Sequence, residues 1–442
     1  MKNPAGNPGA LRSGVAQLLR YGLASIGPIG AAGCQFLLSL ILLKTLNTKD
    51  FGAFSFQLIA SQLSLGIWSA LFCAPLPIIL ARVSEADGRI AEQSMFTTNL
   101  LFSGAAAFVF FALGLAVSDD LVSSALFGAY SALGLMRWFA RAYAYARGTP
   151  LRTVTSDIIY AVTLLAAIAV IFIEGSSSLP VAFGALLFST AIGLLPFGKD
   201  YFLDQFVRLK AGGLLYYRQV WKEHSRWSLA GVVTTEATAN SHAYLVTALL
   251  GATAFAPIAA SAIIVKPISV AMNALTEFER AKMARQLSAG DLGTVTYSMG
   301  MFRLAMMLVW LGVALAVAAL FATTPSLVFP ESYDLNFIMA ASAIWVAIAG
   351  VRVFRGPEST FLQASGAFRP LAMASVISSG FSLLTVLVLL VWQGALWSLL
   401  GILLGECVFA FCTWVQSRKI LGIQKSGGAA AAGLGAARQP VG

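Results

Sequence analysis

Residues 199–226 read KDYFLDQFVRLKAGGLLYYRQVWKEHSR, the longest charge-dense run in the chain. On either side lies a block of similar length, in which apolar segments follow one another with short turns between them. The run is therefore a joint between two halves, and the halves decide the fold. A soluble domain carries about a quarter charged residues. Of these 442 residues 11% are charged and 58% hydrophobic, with a mean hydropathy of +0.80. A helix that crosses about 30 Å of hydrocarbon needs about 20 mostly apolar residues. The windows 21–43, 51–81, 93–118 and 370–405 meet that length without a single Asp, Glu, Lys or Arg. The last is long enough to split into two helices around Gln393-Gly394.

The chain reads as all-α, a polytopic membrane protein of about twelve transmembrane helices. They are expected near 21–43, 55–80, 94–117, 121–142, 154–173 and 177–198, then 227–250, 253–276, 295–321, 335–353, 370–392 and 395–416. This gives a six-helix lobe over 1–198, an amphipathic connector over 199–226 and a second six-helix lobe over 227–416. A Gly/Ala-rich tail over 417–442 is expected to be disordered. In the connector, Phe202, Phe206, Leu209, Leu214, Tyr217 and Trp221 recur every three or four positions around Gly212-Gly213. That spacing predicts two short amphipathic helices at headgroup level.

Net charge is +10, but its placement argues against a nucleic-acid surface. One face collects Arg82, Arg89, Arg137, Arg141, Arg147, Arg152, the connector, Arg280, Lys282, Arg285, Arg352, Arg355, Arg369, Arg418, Lys419 and Lys425. The opposite face collects Lys44, Lys49, Asp50, Asp119, Asp120, Glu174, Glu331 and Asp334. The positive-inside rule places the first face, both termini and the connector in the cytoplasm. Lys2, Arg12 and Arg20 precede an apolar run too long for a cleavable signal. Cys34, Cys73, Cys407 and Cys412 all fall in apolar segments, which suits packing residues rather than disulfides. With His224 and His242 the only histidines, neither a metal site nor a cofactor is expected.

The halves also resemble each other. RYGL (20–23) enters the first span as RWSL (226–229) enters the seventh, and DFGAFSF (50–56) has its counterpart in AFAPIAA (254–260). Arg137 followed by Arg147-Gly148 matches Arg355 followed by Ser365-Gly366 at equal spacing. Six spans per half start both halves on the same side, so the repeats are parallel and related by an axis along the membrane normal. Two such pseudo-symmetric lobes around a central cavity form a transporter architecture.

LLKTLNTKDFGAFSFQLIASQLSLGIWSALFCAPLPIIL (42–80) and FLQASGAFRP (361–370) carry a family resemblance. The first resembles the second-helix signature of polysaccharide-lipid (Wzx-like) flippases of the multidrug/oligosaccharidyl-lipid/polysaccharide exporter superfamily. The second is similar to that family's Leu-Gln-Ala-x-Gly-x-x-Arg segment. The resemblance implies two six-helix bundles, a V-shaped alternating-access cavity and an undecaprenyl-diphosphate-linked oligosaccharide as substrate. It also implies the bacterial inner membrane, membrane lipids as neighbours and a polysaccharide polymerase complex as a partner.

A charge near the bilayer centre costs about 2.5–3.5 kcal/mol on insertion scales, so intramembrane charges face the bundle interior or water. Lys266, beside Pro267, is the candidate floor of a basic cavity, with Arg137, Arg141, Arg352 and Arg355 at its rim; Arg303, in the cytoplasmic part of span nine, is either a further substrate-binding candidate or shallow enough to snorkel. Such groups match a diphosphate, because charge-assisted hydrogen bonds are roughly twice as strong as neutral ones. The competing reading is a structural Glu236–Lys266 ion pair, with the rim arginines serving orientation alone. Glu236 and His242 are candidates for ion coupling, within the polar run Thr234, Thr235, Thr238, Asn240 and Ser241. His242 is equally a helix-contact histidine, and Glu406 reads as an isolated, packed acid. Pro28, Pro75, Pro77, Pro257 and Pro267 predict kinks in the first two helices of each half.

Four activities compete. A multidrug exporter on this fold would be expected to carry a membrane acid in the first span, and 21–43 holds none. A peptidoglycan-precursor flippase would carry two further C-terminal helices. A membrane glycan polymerase or ligase needs a sizeable extracytoplasmic loop, and the outer loops are short. A lipid-linked oligosaccharide flippase fits best, which makes the protein a transporter and not an enzyme.

Overall fold

The computed structural model describes residues 27, 29–76, 85–175, 177–209, 217–218 and 220–436, without the side chains of 85–89, 223, 224, 227, 277, 288 and 423–436. The expectations for Arg12, Arg20, Pro28, Pro77, Arg82 and Gly212-Gly213 lie outside the described residues. No strand occurs among the described residues. Among the described residues nine helices are long and apolar enough to cross a membrane: Thr48–Cys73, Ile90–Ser118, Pro150–Glu174, Leu179–Phe206, Ser228–Ile263, Leu292–Thr323, Leu335–Ala364, Phe368–Gln393 and Ala395–Gly422.

Three further spans complete the twelve. Ile29–Thr45 is apolar but short. Leu121–Ala146 is diluted by serines, tyrosines and two internal arginines. The segment Ser228–Ile263 is two helices broken at Gly251, whose φ of 85° only glycine adopts freely. The second piece continues, after a turn, into Lys266–Ser288. The break thus falls at Gly251, six residues before Pro257, and Pro267 starts a helix rather than kinking one, where its missing N–H costs nothing.

Polar residues between spans have local work to do. Asn47, Asp120, Ser178 and Asp334 cap the helices that follow them, each accepting a backbone N–H left free at the helix start. Gly148 (φ 72°) and Gly366 (φ 74°) end spans four and ten in the left-handed conformation, and spans five and eleven begin two residues later at Pro150 and Phe368. Gly394 (φ 90°) separates spans eleven and twelve. The last helix continues to Ala436 instead of ending near 416, as the strong helix propensity of alanine favours.

The chain divides into two compact units, Met1–Val232 and Val233–Gly442, the division falling inside span seven. In the first unit phenylalanines meet edge-on or tilted from helix to helix: Phe110–Phe127 at 5.4 Å, Phe127–Phe183 at 5.1 Å and Phe54–Phe183 at 5.5 Å join spans three, four, six and two. In the second unit, spans seven and eleven are joined by hydroxyls. Thr235 meets Ser375 at 3.0 Å, Thr238 meets Ser378 at 2.8 Å, and Ser382 donates to the Thr238 carbonyl at 3.1 Å. Much of the polar run around Glu236 is thus spent holding helices together.

The connector differs from the headgroup-level helices expected of it. Its first helix, Gly198–Phe206, turns Tyr201 and Gln205 into the core of the first unit. There Trp68 donates to Asn99 (2.7 Å), Asn99 to Gln205 (2.9 Å) and Gln205 to the Phe96 carbonyl (3.2 Å), a fully buried chain. At its far end Tyr217 stacks on Phe72 at 5.2 Å. The hydroxyls of Tyr217 and Ser225 both donate to the Leu71 carbonyl at 3.0 Å. Leu71 lies in the π-turn Ser69–Cys73, where carbonyls leave the regular helical register.

Candidate substrate and ion sites

Arg137 and Arg141 stand one turn apart on span four. Like charges at that spacing repel, so a counter-charge between them is needed. Asp157 of span five supplies it. Arg137 Nη2 donates to Asp157 Oδ1 at 2.6 Å, and Arg141 Nη1 donates to the same oxygen. Arg137 Nε donates to Ser156 Oγ at 3.0 Å, and that hydroxyl passes its own proton to the Gly193 carbonyl at 2.5 Å. The Arg137 guanidinium lies 4.6 Å over the Tyr160 ring, whose hydroxyl accepts from Gln35 at 3.0 Å. The neighbouring spans close on the cluster through glycines. A Cβ on Gly27 would lie 2.6 Å from Asp157 Oδ2, and one on Gly193 would lie 3.0 Å from Arg137 Nε.

The second unit repeats the composition with a different acid. Arg352 and Arg355, on span ten, share Glu406 of span twelve: Arg352 Nε donates to Oε1 at 2.7 Å, and Arg355 Nε stands 3.2 Å from Oε2. Arg355 also lies 4.2 Å over the Phe409 ring and donates to Ser359 at 3.2 Å. Glu406 is therefore not the isolated acid expected. These arginines are not in a loop either, because span ten runs to Ala364 instead of ending near 353. Arg352 lies twelve residues inside that end, or roughly 18 Å at helical rise.

Arg352 is also within electrostatic reach of Glu236 and His242, so the second unit gathers the two ion-coupling candidates around one guanidinium. Glu236 Oε1 accepts from Asn240 at 2.9 Å and from Tyr244 at 3.2 Å. His242 is buried against Trp345, ring centroids 5.2 Å apart, and its Nδ1 has no hydrogen-bond partner among the described residues. Arg303 goes elsewhere and pairs with Glu358 of span ten. Lys266 is half-buried and carries no ion pair among the described residues, to Glu236 or to any other acid. The six candidate cations thus fall into two Arg₂–carboxylate clusters, one Arg–Glu pair and a single unpaired lysine. No group of three or more metal-binding side chains occurs among the described residues.

Asp157 and Glu358 escaped the sequence reading, although one signal pointed to Asp157. Arginines spaced i, i+4 or i, i+3 on an apolar helix demand an acid from a neighbouring helix, and Asp157 is the one carboxylate in the apolar part of span five.

The same helical fold is found in solved structures of transporters. An inward-facing multidrug-resistance MATE family transporter of the MOP superfamily matches over 91% of this chain and 96% of its own, with a TM-score of 0.65 at 13% identity. The chain has the MATE transporter fold. The eukaryotic MATE transporter AtDTX14 matches over 92% of this chain and 99% of its own (TM-score 0.59, 15% identity). Vibrio cholerae MATE transporter VcmN in the bent form matches over 92% and 97% (TM-score 0.57, 15% identity). No family model and no curated protein matches the sequence. The neighbours are named as transporters, and at 13–15% identity the likeness shows a shared fold, that of a polytopic helical membrane protein.

Proposed function

We propose that this protein is a flippase that exports an undecaprenyl-diphosphate-linked oligosaccharide by alternating access, with its termini in the cytoplasm of a bacterial cell. The supporting observation is electrostatic. Each lobe sets two arginines against one buried carboxylate, Arg137/Arg141 with Asp157 and Arg352/Arg355 with Glu406. A lobe built for cationic drugs would hold the opposite surplus. Guanidinium suits this use because its planar fork binds phosphate oxygens in pairs and stays charged. Arg352, the more exposed of its pair, and the unpaired Lys266 are the groups assigned to the diphosphate. Arg137 and Arg141, sealed behind Gly27 and Gly193, contribute field rather than contact. Glu236, held by Asn240 and Tyr244 beside Arg352, is assigned the coupling ion.

The second reading is a multidrug exporter, and the solved MATE structures of the same fold favour it. Analysis of lipid extracts from a deletion strain separates the two. Accumulation of an unprocessed lipid-linked repeat unit is the expected result. Intact glycan export together with altered drug resistance refutes the flippase and selects the drug exporter. Lys266→Ala is expected to reduce glycan export at normal protein level.

A further inference from the structure

Spans eleven and twelve are in backbone contact at one end and part at the other. At Gly401 an added Cβ would lie 2.5 Å from the Val386 nitrogen, and at Gly405 it would lie 2.6 Å from the Ser382 Cβ. Toward the start of span eleven the glycines give way to Met373, Ile377 and Phe411, and a cavity of about 360 Å³ opens between the two helices. Its walls are largely apolar, and all three of these side chains are exposed on the flank of the unit. That volume is in the range of small-molecule sites. At one end stands Arg369, the second residue of span eleven, exposed and without an ion-pair partner among the described residues. Gln416 lies across from it on span twelve.

We propose that this groove holds one anionic phospholipid, its phosphate on Arg369 and the upper part of one acyl chain along Met373, Ile377 and Phe411. The order of chemistry along the groove carries the assignment. A cation at the helix start, where headgroups lie, is followed one and two turns inward by apolar side chains, as phosphate is followed by chain in a lipid. The guanidinium lacks a carboxylate of its own, so an anion completes it. An apolar trough on the side of membrane helices is open to hydrocarbon, which excludes water-soluble ligands from most of its length. The site is independent of what the transporter exports.

The test is native mass spectrometry of the full-length protein in detergent, with phosphatidylglycerol, phosphatidylcholine and inorganic phosphate as probes. A lysine or arginine at the membrane surface attracts an anionic lipid by an amount equivalent to about a fivefold preference. Wild-type protein is expected to bind a first phosphatidylglycerol about fivefold better than phosphatidylcholine, and inorganic phosphate is expected not to displace it. Arg369→Gln is expected to remove the preference. Arg208→Gln, the same charge change on the other unit's Arg208–Asp204 pair, is expected to keep it. Phe411→Ala is expected to lower occupancy by both lipids. The proposal is overturned if the wild type shows no preference, if the preference survives Arg369→Gln, if it is lost equally in Arg208→Gln, if inorganic phosphate displaces the lipid, or if Phe411→Ala binds as the wild type does. Arg369 and Phe411 are both exposed, so neither substitution opens the core.

Discussion

Glu406→Gln isolates the charge that holds the second lobe's arginines. The amide keeps the shape of the carboxylate and can still accept a hydrogen bond from Arg352, so what is lost is one negative charge between two positive ones. The carboxylate side chain is 2% exposed, and those of Arg352 and Arg355 are 29% and 18% exposed. Removing one member of a fully buried pair costs about 3–5 kcal/mol. Partial exposure of Arg352 lets solvent screen part of that, which brings the expectation to about 2–4 kcal/mol. In a unit of this size each kcal/mol moves the midpoint by about 2–4 °C, so the apparent Tm should fall by about 5–15 °C. The assay is thermal unfolding of purified protein in one detergent at one scan rate. The cycle is then closed with Arg355→Gln. Because that substitution also removes the like-charge repulsion, the double variant should recover stability relative to Glu406→Gln, with a coupling of at least about 1 kcal/mol. A Glu406→Gln protein that melts with the wild type, or a double variant whose losses simply add, refutes the reasoning.

Asp157→Asn should destabilise the first unit as much or more, because its partners Arg137 and Arg141 are more enclosed than Arg352 and Arg355; protein yield and Tm read it. Gly401→Ala should cost more than any other single methyl addition on span twelve, because the new Cβ would meet the Val386 backbone at 2.5 Å rather than a movable side chain; loss of monodisperse protein on gel filtration checks it. Tyr217→Phe and Ser225→Ala each remove one donor from the Leu71 carbonyl. Each alone should cost about 1 kcal/mol or less, and the pair more than their sum because the buried carbonyl is then unpaired; a double-mutant cycle in Tm measures it.

What the sequence revealed and what it hid divide along the range of the interactions. Segment count, the break at Gly394 and the half-to-half repeat are written in hydropathy and in single turn residues, and they were legible. Helix ends were not, where charge begins before the helix stops. Hydropathy falls at Arg352, yet hydrogen bonding continues to Ala364, because Glu406 neutralises Arg352 and Arg355, and Arg303 neutralises Glu358, charges that a window average treats as loop. The connector misled for a related reason. The period of Phe202, Phe206 and Leu209 marks an apolar face, but Phe206 and Leu209 are exposed while Tyr201 and Gln205 enter the core. Amphipathicity says that a face will be buried, not whether lipid or protein buries it, and a buried glutamine satisfied by Asn99 and Phe96 carries no hydropathy signal at all.

The repeat sharpens the case for the arginine clusters. Arg355 follows Arg137 by 218 residues, and so does Gly366 follow Gly148, both with a left-handed φ at the end of their helix. On that register Asp157 falls on Ser375, a residue engaged with Thr235 of span seven and no acid at all. The second lobe draws its carboxylate from Glu406, one helix further along the chain. The backbone frame is thus repeated while the acid is not, and still each lobe arrives at two arginines and one carboxylate. A purely structural ion pair has no need of the second arginine, since one guanidinium satisfies one carboxylate and a further buried cation only adds desolvation cost. Reaching two arginines and one carboxylate by two different routes is what a requirement on the local electrostatics of each lobe produces.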